Sequence, residues 1–471
     1  MLSTFRVRLK FRLQSYGRFV ALSPLSGMVV TMSSRITDFR SNKHFLHPVY
    51  QQLRRTWLRG SYWKLRKVIA DTRQLSRWIV YFLSGWVPRR NDLWVFGTFR
   101  NDFSDNSKYL FCHVAKACPD IKPVWISGNE KTVTRLRALG FEAYLRDSWL
   151  GWWNCLRARC YFFIGYSFDI NFFASRGAIL INLWHGTPIK RIEFDIRNGS
   201  DARLFVSPTW RDRLIKEPAL YRGCDFVISA SPFVSEYALS PAFRVPLERC
   251  LSLGYPKTDL LFQDKATILD QLYKSGEIEL ARQLERFKSA GVTILYLPTW
   301  REASAHAAEP QLDWSTINKI VESRSGLFVI KAHPLATESG QFPKNGDFQH
   351  IVVLPADVDV YPLMVFADML LTDYSSVMFE FCLTGRPIIL VAFDLEQYEQ
   401  HDRGFYLPLE NVGIGRIVRN SEQLVKTLDE LLLEPLSRTY DGESVARFNS
   451  YRAGGASDRI ATYFAKFVQG M

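Results

Sequence analysis

From residue 93 onward, short apolar runs alternate with helix-like stretches, and the runs end in clusters of polar side chains. Leu93-Trp94-Val95-Phe96-Gly97, Pro123–Ser127, Cys160–Ile164, Ala178–Leu183 and Asp225–Ser229 read as the strands of a first series. Helices are expected between them, one starting at Asn106-Ser107-Lys108 and another over Thr132–Leu139. A charged helical stretch over Lys265–Ser289 leads to a second series: Thr293–Leu297, Leu327–Lys331, Ile351–Leu354, Met369–Thr372 and Pro387–Phe393. Runs this short and this apolar suit strands buried on both faces. Repeated βα units imply parallel sheets covered by helices, and such sheets bind ligands beyond the C-terminal ends of their strands. The expected fold is therefore α/β, and 471 residues with 47% hydrophobic content can bury more than one core.

Charge is concentrated at one end. Residues 1–92 carry 18 Lys and Arg against three Asp, while the whole chain is +13, so residues 93–471 are slightly acidic at −2. Within this basic extension, Phe5, Val7, Leu9, Phe11 and Leu13 alternate with Arg6, Arg8, Lys10 and Arg12, a period of two that suits a strand. Translation starting at Met28 or Met32 would make this segment upstream sequence. Residues 48–84 are more helical, setting Leu53, Trp57, Trp63 and Val68 beside Arg54, Arg59, Lys64 and Lys67 before the run Trp78–Leu83. Aromatics beside cations suit the headgroup layer of an anionic membrane, where each cation contributes about 1 kcal/mol. A solvated basic helix with one apolar side packed on the body is the plainer alternative, and nucleic-acid binding is disfavoured for want of a recognisable module.

Seven scattered cysteines with no CxxC pair argue against a disulfide framework and a zinc site, and favour a reducing cytosol. No run reaches the roughly 18–20 apolar residues of a membrane span, and Phe19–Met32 lacks a signal-peptide cleavage site. The expected location is cytoplasmic, peripheral on the inner face of the cell membrane.

The polar clusters carry the chemistry. Leu183-Trp184-His185-Gly186-Thr187-Pro188-Ile189-Lys190 follows the run Ala178–Asn182 and puts His185 at a sheet rim, where an imidazole can take a proton near neutral pH. Taken alone, His185 reads equally well as a structural turn residue. In the second series four clusters sit at strand ends: Pro298-Thr299-Trp300-Arg301, Lys331-Ala332-His333-Pro334, Asp373-Tyr374-Ser375-Ser376 with Glu380, and Arg403-Gly404-Phe405-Tyr406. Cations converging on hydroxyls at a helix start are what a diphosphate requires, since the helix supplies N–H donors and Arg grips two oxygens at once. Glu380 lies one turn beyond Ser376 and is placed to reach a ribose hydroxyl. Each cluster has a plain structural reading, such as an N-cap for the serines or a turn fixed by Asp373, but four at successive strand ends resist it together. With neither a P-loop nor GxGxxG present, an ATPase and a simple dehydrogenase are disfavoured, and a two-domain phosphoryl-type transferase is suggested.

These motifs, in this order and with Ser104-Asp105-Asn106-Ser107-Lys108-Tyr109 upstream, resemble the CDP-glycerol glycerophosphotransferases over roughly residues 93–430. That family comprises teichoic-acid primases and polymerases and related capsule polymerases. The resemblance implies a GT-B architecture: two Rossmann-like domains facing across a cleft, the acceptor on residues 93–257 and the CDP-alditol on residues 258–471, behind the extension over residues 1–92. It implies that His185 is the base and that Arg301, Lys331, His333, Ser375 and Ser376 surround the donor diphosphate. Glu380 falls where the family often has Asp; Gly186, Thr187, Lys190, Asp373 and Arg403 would shape the site. Two departures leave the alditol open: Leu407-Pro408 replaces an acidic residue after the Arg-Gly-Phe-Tyr motif, and Val412-Gly413-Ile414-Gly415 replaces a Pro-Gly-Pro turn.

The implied reaction moves glycerol-phosphate from CDP-glycerol, or ribitol-phosphate from CDP-ribitol, to a hydroxyl of a lipid-linked or oligosaccharide acceptor and releases CMP. Neither a cofactor nor a metal is expected. An anionic membrane surface and a second copy of the chain are the further partners expected, and nucleic acid is not. The alternative is another GT-B enzyme, one acting on nucleotide sugars as a glycosyltransferase or epimerase; a binding scaffold without turnover is more distant.

Overall fold

The computed structural model describes residues 58–199, 202–299, 312–332, 342–401, 404–433 and 440–470. It opens with helix α1 (Leu58–Ser84), after which strands and helices alternate. The first half comprises β1 (Arg90–Phe96), α2 (Asp105–Ala117), β2 (Lys122–Ser127), α3 (Glu130–Ala138), β3 (Ala143–Leu145), α4 (Trp149–Arg157), β4 (Ala158–Phe163), β5 (Ile179–Asn182), β6 (Phe226–Ser229) and β7 (Cys250–Ser252). These strands form a seven-stranded parallel sheet in the order β3-β2-β1-β4-β5-β6-β7. The second half contributes β8 (Thr293–Leu297), β9 (Leu327–Ile330), β10 (Ile351–Val353), β11 (Met369–Thr372), β12 (Ile388–Val391) and β13 (Arg416–Val418), a six-stranded parallel sheet in the order β10-β9-β8-β11-β12-β13. Three of its helices bear on the site: α5 (Val360–Phe366), α6 (Val377–Phe381) and α7 (Ala456–Gln469).

Burial on both faces explains the unbroken apolar runs. In β1, Trp94 and Phe96 enter one core with Phe162, while Val95 enters the opposite core with Tyr161. Every strand expected in the two βα series is present, with ends shifted by a few residues at most. The strands that sequence reading lacked, β3, β7 and β13, each span three residues and lie at sheet edges. An edge strand is half exposed, so it loses the continuous apolar signature that marks a central one. The charged stretch Lys265–Ser289 is two helices, Lys265–Lys274 and Ile278–Ser289, broken at Gly276, whose φ of +76° is left-handed.

Two expected boundaries move. The N-terminal extension was expected to end at residue 92, but β1 already begins at Arg90 and the end of α1 is built into the body. Trp78 and Tyr81 pack on Phe172, the Tyr81 and Phe172 rings stacking at 4.9 Å. Trp78 Nε1 donates to the Leu214 carbonyl (2.8 Å), and Arg211 pairs with Asp71. Arg89 then donates to the carbonyls of Ala158 (2.8 Å), Ala174 (2.8 Å) and Arg176 (2.6 Å). One side of α1 thus packs on the body, while Ile79, Phe82 and Trp86 stay exposed among the described residues. The strand expected over residues 4–13 lies outside the described residues, as does all else before residue 58. At the other end, a division at residues 257 and 258 would assign α7 to the second sheet. Instead α7 returns to the first, burying Ile460, Phe464 and Val468 with Trp94 and Phe162; Phe464 meets Phe162 at 5.6 Å and Phe226 at 5.4 Å. Among the described residues no helix is long and apolar enough to cross a membrane.

Candidate active site

β5 ends at Asn182 and the chain turns sharply. Asn182 Oδ1 accepts the Trp184 N–H (2.8 Å), and its Nδ2 donates to the Gly165 carbonyl (3.1 Å). Trp184 adopts a left-handed φ of +50°, which costs a non-glycine residue about 1–3 kcal/mol and needs surrounding structure to hold it. That structure comes from two side chains buried beneath the turn. Asn106, in the first turn of α2, donates through Nδ2 to the carbonyls of Leu183 (3.3 Å) and Trp184 (2.8 Å), and its Oδ1 accepts the Lys257 N–H (3.1 Å). Lys257 Nζ donates to the His185 carbonyl (2.7 Å).

Lys257 also joins the two halves. Its Nζ lies 3.1 Å from Glu380 Oε1 on α6 and 3.4 Å from Asp105 Oδ1, and 4.9 Å from the centre of the Tyr361 ring. The Tyr361 hydroxyl donates to the second oxygen of Glu380. Burial alone would lower the Lys257 pKa, but Asp105 and Glu380 outweigh it and hold the ammonium above its ordinary value. Burial raises the Glu380 carboxyl, against the opposing pull of Lys257 and Tyr361. Glu380 was expected to reach a ribose hydroxyl. Only 1% exposed and engaged by Tyr361 and Lys257, it braces the His185 turn instead, because its side of α6 packs on the first domain. Gly186, at φ +141°, permits this approach: a Cβ there would stand 2.9 Å from Ser376 Oγ and 3.0 Å from Glu380 Oε1.

His185 itself is exposed on this turn. Its ring lies 3.9 Å from the Trp184 ring, centre to centre, and Nδ1 is 3.5 Å from the Ile164 carbonyl. Withdrawal from bulk water lowers its pKa to about 4, with Asp105 pulling upward and Lys257 downward. Surrounding protein and an open face act against each other here; the open face limits the depression without reversing it. The imidazole is neutral at pH 7, and an Nδ1–H directed at Ile164 leaves Nε2 as the basic atom.

The other expected residues divide. Ser375 and Ser376 are partly exposed at the start of α6, where the Val377 N–H donates to Ser375 Oγ at 3.5 Å; α6 spans five residues before a 3₁₀ turn. Lys331 lies partly buried just past β9, where burial lowers its pKa and Asp359 opposes that shift. Asp359 caps α5 by accepting the Tyr361 N–H (3.1 Å) and also takes Lys108 Nζ (2.8 Å) and the Tyr109 hydroxyl (2.9 Å) from α2. Asp373 follows the plain structural reading: fully buried, it accepts the Thr299 N–H (2.9 Å) and hydroxyl and so fixes the turn after β8. Thr187 is buried under the His185 turn.

Lys190 reaches the Tyr398 hydroxyl, and the backbone beside it forms a seam between the halves. The Arg191 N–H donates to the Gly404 carbonyl (2.9 Å), the Tyr406 N–H donates to the Ile189 carbonyl (2.9 Å), and the Tyr406 hydroxyl donates to Asp195 (2.7 Å). Arg301, His333 and Arg403 lie outside the described residues. Asp105, Asn106, Lys257 and Tyr361 had no functional assignment from sequence. Their signals were the Ser104–Tyr109 motif and the Gly254-Tyr255-Pro256 turn immediately before Lys257. Together these groups set a neutral imidazole on a turn pinned by buried hydrogen bonds, facing the domain that carries the hydroxyls at the start of α6.

Known proteins resemble this chain in sequence and in fold. Residues 79–466 match the sequence profile of the CDP-glycerol:poly(glycerophosphate) glycerophosphotransferases. The chain is 26% identical over 411 residues to the teichoic acid glycerol-phosphate transferase of Staphylococcus aureus, spanning 84% of this chain and 98% of that one. It is 25% identical over 402 residues to the teichoic acid ribitol-phosphate primase of Bacillus spizizenii, spanning 82% and 94%. A 27% match to the teichoic acid poly(glycerol phosphate) polymerase of Staphylococcus epidermidis spans 78% of this chain but 49% of that longer protein. The solved structure of the wall teichoic acid polymerase TagF has a TM-score of 0.65 at 22% identity, over 88% of this chain and 98% of that one, and so shares the fold. The profile match spans both sheets, the His185 turn and the seam at Gly404–Tyr406, and the chain belongs to the CDP-glycerol:poly(glycerophosphate) glycerophosphotransferase family, whose members are phosphotransferases.

Proposed function

We propose that the protein transfers glycerol-phosphate, or ribitol-phosphate, from the CDP-alditol to a hydroxyl of a lipid-linked or oligosaccharide acceptor during synthesis of a teichoic-acid or capsule polymer. His185 Nε2 takes the acceptor proton, the acceptor oxygen bonds to the β-phosphorus, and the bond from that phosphorus to the oxygen of CMP breaks. CMP leaves with the electron pair, and the imidazolium returns its proton to solvent. A phosphate leaving group needs little protonation, so rate comes from positioning and from charge around the diphosphate. Arg301, Lys331, His333, Ser375 and Ser376 fill that role in this reading. The observation that carries it is the pinned turn: buried Asn106 and Lys257 grip the carbonyls on either side of an exposed, neutral His185.

The test is CMP release from CDP-glycerol, with CDP-ribitol in parallel, on a phospho-glycerol or lipid-linked primer. His185→Ala is expected to slow primer-dependent release by about 10²–10⁴-fold, and the preferred donor names the alditol. Unchanged release in the variant would remove His185 from the mechanism.

The acceptor of such a reaction sits at a membrane when it is lipid-linked. Ile79 (63% exposed), Phe82 and Trp86 (82%) on and after α1, with Trp149 and Trp153 on α4, support docking on an anionic membrane surface beside the cations of α1. Both helices flank the Phe172–Ala174 turn.

A further inference from the structure

The long crossover between β5 and β6 contains a second feature. Together with the helix Ser240–Phe243 after β6, it lines a cavity of about 380 Å³ walled by Phe194, Phe205, Leu220 and Phe243, with Arg213 and Arg244 also in its lining. Phe243 meets Trp184 edge-on at 4.8 Å, and Trp184 lies against His185, so two side chains, Phe243 and Trp184, link this cavity to the candidate base. A narrower extension runs past Tyr166, Asn182 and Glu193 at the ends of β4 and β5.

Among the described residues, the two arginines meet aromatic faces rather than carboxylates. The Arg244 guanidinium lies 3.7 Å from the centre of the Phe194 ring, and its backbone is left-handed at φ +54°. Arg213 lies 5.8 Å from the centre of Tyr221. Neighbouring carboxylates are taken: Asp212 by Arg203 and Lys216, Asp225 by Arg222. A guanidinium stacked on a ring keeps its N–H edge for oxygens, and phosphate oxygens match that fork. Beside the cavity an apolar strip stands open, with Val206, Trp210 and Leu214 53%, 58% and 43% exposed. The Leu214 carbonyl accepts Trp78 Nε1, which joins the strip to α1.

We propose that this cavity anchors the acceptor: Arg213 and Arg244 bind the phosphate head of a phosphate-bearing lipid, and the apolar chain lies along Val206, Trp210 and Leu214 toward the face exposed on α1. The proposal rests on the lipid-linked acceptor reading above. An anionic head and an apolar tail are both required by the surface. A free anion leaves the strip uncovered, and a neutral amphiphile leaves both guanidinium edges unused.

The probe is dodecyl phosphate below its micellar concentration, titrated into the full-length protein, against inorganic phosphate and uncharged dodecyl glucoside. Dodecyl phosphate is expected to bind at least about tenfold more tightly than inorganic phosphate, given the apolar area of its chain. Arg213→Gln and Arg244→Lys are each expected to weaken it by about fivefold or more, with the double variant worse. Arg213 is exposed, so its replacement tests the site even if the strained position at 244 tolerates change poorly. Equal binding of inorganic phosphate would overturn the lipid assignment, and equal binding of dodecyl glucoside would overturn the role of the arginines. In turnover, KM for a lipid-linked acceptor should rise more in these variants than KM for CDP-glycerol; an equal rise would count against an acceptor site. Binding of dodecyl phosphate requires no chemistry, so it can succeed or fail independently of CMP release.

Discussion

At the scale of single residues, the site depends on one ammonium. Lys257 holds the His185 carbonyl and lies between Glu380 and Asp105 as their shared counter-charge in a buried space. Lys257→Met leaves that negative charge unpaired, and urea unfolding should show a loss of about 3–5 kcal/mol; adding Glu380→Gln should restore part of it. The pH dependence of kcat/KM follows from the direction of the His185 shift. A base acts when unprotonated, so activity is lost as pH falls through the His185 pKa, and the acid limb should lie below the ordinary imidazole value of about 6.5, toward about 4. Because Asp105 pulls that pKa upward, Asp105→Asn should move the acid limb to still lower pH. A limb at or above the ordinary value would disconnect it from His185. Sequence could place His185 because a polar residue after an apolar strand marks a rim. It could not place Lys257 or Glu380, because their partners come from opposite halves of the chain.

At the scale of elements, what was legible followed burial. Central strands such as β8 and β11 matched their expected limits residue for residue, since each is apolar throughout and buried on both faces. The edge strands β3, β7 and β13 were missed for the converse reason, while the edge strand β10 kept a fully apolar run and was found. The Arg-Gly-Phe-Tyr motif read as part of a donor site, yet its described residues Gly404–Tyr406 lace the halves together through backbone pairing that no side-chain pattern encodes. The same holds for α7, whose amphipathic stripe announces a helix but not the sheet it covers. Phe464 is fully buried where α7 meets β4 and β6. Phe464→Ala should cost about 3–5 kcal/mol in chemical unfolding, far more than truncating a side chain on the exposed face of the same helix.

At the scale of the whole molecule, the proposed membrane docking has the basic extension and the exposed aromatics act together. Deletion for a membrane test must stop before α1, since removing residues through 92 would take Tyr81, Arg89 and the start of β1 with it. Removing residues 1–57, or replacing Ile79, Phe82 and Trp86 by serine, is expected to weaken binding to anionic liposomes about tenfold or more, and the binding of the full chain should fall with added salt. Transfer to a soluble acceptor should persist in both; equal loss on soluble and lipid-linked acceptors would mean that the segment serves folding.

The return of α7 to the first sheet also bears on synthesis at the ribosome. Residues 90–252 emerge first and can pair their strands, but the helix that covers Trp94, Phe162 and Phe226 is translated only after the whole of the second sheet. A nascent first domain therefore waits with an aromatic face open until the second domain is complete. Emergence of α7, rather than completion of either sheet, is the step that closes its core.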